Sequence, residues 1–272
     1  MQKTDAIVLK VVEFSETSCV VTLLTREFGK ITGLAKGARR KKSPFESALD
    51  LLSIVRLVFL PKAPKAMDLL TEAKLERRFR AGARCLRRLY RGYYVAELTN
   101  LLIEYNDSMP VVYDLVVETV HRLDDEQSDP DIVLMFFELS LLNQLGHRPQ
   151  FDECTGCGRQ RRGDAPRVAF ALLAGGVVCP ACRIGHRHVL SVKSESIQYL
   201  SQLSRSTWND TTRPMRDAAL LSETRELLNH YVLHLVGRPL RTTSYLKMPV
   251  AGASIRSQTH LGTDKDVQFE SS

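Results

Sequence analysis

The stretch "CVVTLLTREFGKITGLAKGARRKK", Cys19–Lys42, decides how the first part of the chain is read. Two runs rich in Val, Ile, Leu and Thr, Cys19–Thr25 and Gly29–Ala38, are separated by "REFG", whose composition suits a turn, so both read as strands. Upstream, "AIVLKVVEF" (Ala6–Phe14) is another, set off by "SETS". Downstream, "LDLLSIVRLVFL" (Leu49–Leu60) is an apolar run ended by Pro61 and Pro64, and "MDLLTEAKL" (Met67–Leu75) reads as a fifth strand. Short strands at this density, with Gly33 inside the third, suit a small closed barrel, and the OB-fold is the five-stranded member of that class.

The quoted stretch ends in "KGARRKK" (Lys36–Lys42), where every residue but Gly37 and Ala38 is cationic. Alone, such a run is a solvated loop or a targeting peptide. The rest of the chain gives it context. Net charge is +7 over 272 residues, and residues 1–80 carry 16 Lys and Arg against 9 Asp and Glu, whereas residues 81–130 carry 5 against 9. A basic field at one end attracts polyanions, with nucleic acid the first candidate and a membrane surface the second. "MQKTDAIVLKVVEF" lacks the continuous apolar core of a signal peptide, and no run of apolar residues is long enough to span a bilayer. The expectation is a cytoplasmic chain whose thiols are reduced.

From Leu75 the period changes. Leu75, Phe79, Ala83, Leu86, Tyr90, Tyr93, Leu98, Leu101 and Tyr105 recur at helical steps, and the aromatics of "YRGYY" read as packing residues. "PVVYDLVVETVHRLD" and "PDIVLMFFELSLLNQLG" are two further helices opened by Pro110 and Pro130, positions where a missing N–H does no harm. The acidic "DDEQSD" (Asp124–Asp129) between them reads as a solvated loop. "SESIQYLSQLSR" and "RDAALLSETRELLNHYVLHLVG" add at least two more helices, and residues 247–272 have no periodicity and are expected to be disordered.

Between the helices, Cys154 and Cys157 form one C-x₂-C and Cys179 and Cys182 another. Each pair sits in a Gly- or Pro-containing turn, and "RVAFALLAGGVV" between them is strand-like. Two such knuckles make a zinc-ribbon pattern with four thiolate ligands to one structural Zn²⁺, since four sulfurs leave no position for water. His186 and His188 are surplus to that set, and Cys19 and Cys85 sit in apolar patterns as small core residues. No phosphate loop, dinucleotide fingerprint, H-E-x-x-H or G-x-S-x-G occurs, and nothing argues for an enzyme.

The expected architecture is therefore α+β and multidomain. An N-terminal five-stranded OB-fold barrel (1–75) precedes a C-terminal all-α helical domain (76–150 and 191–246) with an inserted four-cysteine zinc ribbon (151–190). With "TLLTREFGKITGLAKGARRKKS", "FELSLLNQLGHRPQFDECTGCG" and "GRPLRTTSYL" in that order, the chain resembles the bacterial recombination-mediator family RecO from about Thr4 to Leu246.

The resemblance implies a role in DNA repair and recombination. It implies binding to single- and double-stranded DNA, annealing of complementary strands and a nucleoid-associated place in the cytoplasm. Its implied partners are RecR, the C-terminal tail of the single-stranded-DNA-binding protein and, indirectly, the RecA recombinase. On that reading Lys36, Arg39, Arg40, Lys41 and Lys42, with Arg26 and Lys30 nearby, form a cationic rim for a phosphate backbone. Gly33 and Gly37 allow close backbone approach or a bulge there, and no base-reading set is apparent, so binding is expected to be sequence-independent. The tail peptide, acidic and ending in phenylalanine, is expected on the helical domain, where Arg84, Arg87, Arg88 and Arg91 are candidate cations or simply a solvated face. Two other readings stay open at this point: an RNA-binding zinc-ribbon module, and a scaffold whose basic loop meets an acidic protein tail.

Overall fold

The computed structural model describes residues 1–45, 48–62, 66–81, 85–161, 165–212 and 217–246. Pro64, Ala83, Arg84 and the tail expected to be disordered lie outside them. The barrel is built from β1 (Gln2–Glu13), β2 (Cys19–Thr25), β3 (Gly29–Ala35), β4 (Ile54–Leu60) and β5 (Asp68–Arg77). They close in the order β1-β2-β3-β5-β4, with β3 and β5 parallel and the other pairs antiparallel. This is the five-stranded OB-fold arrangement expected from the sequence. Gly33 faces Asp68 in the parallel pair, and a Cβ there would collide with the Leu70 side chain, so glycine is what lets β5 close the barrel.

The near-continuous apolar run of β1 has a simple cause. Ala6 and Val8 point into the barrel core with Val21, Leu23, Ile31, Leu57 and Phe59. Ile7 and Leu9, on the other face, join Leu24, Leu52 and Ile54 in the core of the helical body. Strands buried on both faces lose the polar alternation of a one-sided sheet, and each such side chain contributes about 1.5–3 kcal/mol of burial. The barrel is therefore seated on the helices and not merely linked to them.

The body comprises α1 (Leu86–Leu102), α2 (Pro110–Asp124), α3 (Pro130–Gln144), α5 (Ser194–Leu203), α6 (Ala218–Val236) and the single turn α7 (Thr243–Leu246), with a short α4 (Pro180–Arg183) in the insertion. Helix α3 is buried from Pro130 to Leu142 apart from Ser140, which explains its lack of a polar face. Its N-cap, Asp129, accepts from the N–H of Asp131 at 2.9 Å.

Two sequence expectations are corrected here. The helical stripe does not start at Leu75, which pairs with Val55 in β5; helix α1 starts at Leu86. Tyr105 is past the end of α1 and bridges Lys30 of β3. "DDEQSD" is also more than a solvated loop. Asp124 accepts from the backbone N–H groups of Arg80 at 2.9 Å and Ala81 at 2.8 Å and pairs with Arg77, clasping the exit of the barrel to the end of α2. Of the aromatics in "YRGYY", Tyr94 is a core residue, Tyr90 stacks on Tyr245 and Tyr93 is exposed.

The insertion is a three-stranded antiparallel sheet, in the order β7-β6-β8, of β6 (Arg167–Ala171), β7 (Gly176–Val178) and β8 (Val189–Lys193). "RVAFALLAGGVV" is thus a hairpin, not one strand. Phe170, Val177 and Val192 reach down into the helical core, and only Cys154, Ala171 and Val178 form a small core belonging to the insertion.

Candidate nucleic-acid interface and metal centre

The basic turn leaves β3 at Ala35 and folds back on the loop between β1 and β2. Gly37 makes the fold possible with φ +69°, a left-handed conformation that disfavours side chains. Its N–H donates to the Ser18 hydroxyl at 3.3 Å, and the N–H of Arg39 donates to the Thr17 carbonyl at 3.1 Å. The Arg39 guanidinium pairs with Glu13 at 3.0 Å. Lys36, Arg39, Arg40, Lys41 and Lys42 are all exposed. Among the described residues no carboxylate pairs with Lys36, Arg40, Lys41 or Lys42, so four cations of the run are free for an external anion.

The two flanking cations behave differently. Lys30 is buried: its Nζ donates to the Asn100 carbonyl at 2.6 Å and lies 4.3 Å from the centre of the Tyr105 ring. Burial lowers its pKa, with Tyr105 and Glu104 opposing. Its charge is committed to joining barrel and body, so it leaves the proposed rim. Arg26 is half-exposed and pairs with Asp114 of α2 at 3.0 Å, which leaves it within reach of solvent but not uncompensated.

Phe14 was missed as a surface feature. It closes the β1–β2 loop, its N–H donating to the Ser18 carbonyl at 3.0 Å, and its side chain is 61% exposed. The signal was in the sequence: an aromatic directly before the polar "SETS" lies at a loop tip.

The four cysteines of the insertion come together. The Sγ atoms of Cys154, Cys157, Cys179 and Cys182 lie within 4.8 Å of one another, and those of Cys157 and Cys179 are 3.9 Å apart. With metal–sulfur bonds of about 2.3 Å, the edge of a tetrathiolate tetrahedron is about 3.8 Å, so the set fits a tetrahedral metal ion. The N–H of Cys179 donates to the Cys154 sulfur at 3.3 Å. Burial would raise the Cys154 thiol, but N–H groups of Cys179, Gly156 and Cys157 stabilise its thiolate and bring it down to about 6. Cys182 is pushed up to about 12, because its proton is shared with the sulfurs of Cys179, Cys157 and Cys154. Without a cation, four crowded thiolates hold a proton back; with one, all four ionise. His186 and His188 are not part of the cluster.

The arginines of α1 are structural. Arg87 and Arg91 both pair with Asp131 at the start of α3, and Arg91 is buried. Arg88 donates to the carbonyls of Leu123, Asp125, Glu126 and Ser128, closing the α2–α3 loop. They are neither a solvated face nor a free cationic patch.

The family description "Recombination protein O N terminal" matches residues 1–79 and "Recombination protein O C terminal" matches residues 84–244. A protein named DNA repair protein RecO from Rhodopirellula baltica is 38% identical over 263 residues, covering 89% of this chain and 97% of that protein. Namesakes from Myxococcus xanthus, 32% identical over 89% of this chain and 95% of its own, and from Symbiobacterium thermophilum, 29% identical over 90% and 96%, span nearly the same length. With an OB-fold barrel, a helical body and a four-cysteine insertion in that order, the chain belongs to the RecO family of DNA repair and recombination proteins.

Proposed function

We propose that the chain is a recombination mediator that binds single- and double-stranded DNA through its basic turn, anneals complementary strands and helps load a recombinase onto coated single strands. The observation that carries this reading is the turn itself, hydrogen-bonded through Gly37 and Arg39 onto the β1–β2 loop of an OB-fold barrel and carrying four cations with no carboxylate partner among the described residues. Phosphate contacts give sequence-independent affinity. Neutralising two backbones lowers their mutual repulsion, so annealing needs no catalytic group.

Partner binding belongs to the same proposal: RecR, the tail of the single-stranded-DNA-binding protein and, through them, RecA. The tail is acidic and ends in phenylalanine. A cavity of about 820 Å³ between α1, α6 and α7, lined by Leu221, Leu233, Leu240 and Leu246, offers an apolar socket for the terminal ring.

The four-cysteine centre holds one Zn²⁺ in this proposal. A closed tetrathiolate site has no open position, so the ion supplies structure and not chemistry. A strand-annealing assay with purified chain tests the function. The reading predicts faster pairing of complementary single strands, bare or coated, than without protein; failure to accelerate pairing at low salt contradicts it.

A further inference from the structure

We infer that Phe14 is a base-stacking platform that makes the basic turn prefer single strands. The inference rests on the proposal that this turn is a DNA surface. The ring is exposed at the β1–β2 loop tip, and Val11 and Val12 beside it are 39% and 45% exposed. These side chains lie at the end of β1, where its pairing with β2 has passed the partner register of β4. The loop is held against the cations at three points: Arg39 N–H on the Thr17 carbonyl, the Arg39–Glu13 ion pair and Gly37 N–H on the Ser18 hydroxyl. An exposed aromatic ring is thus carried on the loop that is tied to the basic turn, where four cations have no carboxylate partner among the described residues.

That combination fits one occupant. The cations attract phosphates, which single and double strands both present, but a ring face stacks only on a base that has left its own stack. A membrane surface would meet the same cations, yet it needs a broader apolar face than three side chains on one narrow hairpin. An acidic peptide offers no planar partner for the ring unless it carries an aromatic residue of its own. A flexible single strand can set its backbone along Lys36–Lys42 and turn one base onto Phe14, which also leaves neighbouring bases splayed for pairing with a second strand.

The test compares Phe14→Ala and Phe14→Trp with the unaltered full chain and with the Lys36→Glu, Arg39→Glu, Arg40→Glu variant. The probes are a mixed-sequence single strand containing 2-aminopurine and its blunt duplex. Because Phe14 is exposed, its replacement should leave the thermal midpoint unchanged. Phe14→Ala should weaken single-strand binding about five- to 150-fold, the range for losing one stacked base. It should leave duplex affinity and both salt slopes alone and abolish quenching of the 2-aminopurine, and Phe14→Trp should restore both. If Phe14→Ala is silent while the triple reversal weakens binding, the stacking role is overturned and the basic turn stands. If Phe14→Ala weakens single strand and duplex equally, the stacking role is likewise overturned. If Phe14→Ala acts selectively while the triple reversal is silent, the basic-turn reading fails and the stacking role stands.

Discussion

Lys30 on β3 donates its Nζ proton to the Asn100 carbonyl near the end of α1 at 2.6 Å, a bond between barrel and body. This distinguishes it from the neighbouring cations. Replacing Lys30 by Met removes a charge-assisted bond from a buried site, and a loss of about 1–3 kcal/mol of stability is expected. Denaturant titration checks that figure. The same variant should leave the salt slope of DNA binding where it was, since Lys30 reaches no solvent anion.

A second buried contact ties three helices together. Glu138 of α3 has no solvent exposure, accepts from Tyr94 Oη of α1 at 2.6 Å and pairs with Arg225 of α6. Removing one partner of a buried pair costs about 3–5 kcal/mol, because the other is left uncompensated. Arg225→Met should therefore lower the unfolding midpoint sharply. Glu138→Gln combined with Arg225→Met should recover part of the loss.

Asp131 sets a pH dependence. Burial alone would raise its carboxyl pKa, but Arg91 and Arg87 overcome this and hold it below the ordinary value of 3.8. A carboxylate depressed in the folded state stabilises above its unfolded pKa, and the contribution disappears as pH falls through the folded value. Thermal unfolding between pH 7 and pH 2 should show an acid loss that is smaller in Asp131→Asn, which starts from lower stability.

Much of this was legible in the sequence, and what was not has identifiable physical causes. The β-branched runs from Ala6 to Ala35 and the glycine at 33 were enough for the barrel. The two C-x₂-C pairs were enough for the sulfur cluster, since ligand spacing is local. The start of α1 was misread because Leu75 and Phe79 sit four apart by coincidence: one is in a strand, the other packs against the body from the connection that follows. The roles of Lys30, Asp124 and Arg91 were hidden for another reason. Each depends on a partner 40 or more positions away, and a charged side chain's composition does not reveal whether its counterion waits across the fold.

Metal removal should act locally. The insertion has its own small core of Cys154, Ala171 and Val178, but Phe170, Val177 and Val192 belong to the main body. Chelation should thus release one Zn²⁺ per chain and increase amide exchange in residues 154–161 and 176–183, while α3 stays protected. Acidification should release the same ion, because protons compete for the four thiolates. Elemental analysis of protein purified without chelator, followed by hydrogen exchange, measures both; finding no zinc contradicts the assignment.

The most direct measurement of the central claim is the salt dependence of DNA affinity in the Lys36→Glu, Arg39→Glu, Arg40→Glu variant of the full chain. Each phosphate contact on a single strand contributes a slope of about 0.7, so losing the free Lys36 and Arg40, with Arg39 shared with Glu13, should flatten the plot of log affinity against log salt by about 1.4 to 2. Binding should weaken alike for every sequence, with zinc content unchanged and the thermal midpoint lowered only slightly, by loss of the exposed Arg39–Glu13 pair. A folded, zinc-loaded variant with the affinity and slope of the unaltered protein would contradict the account and place the DNA surface elsewhere.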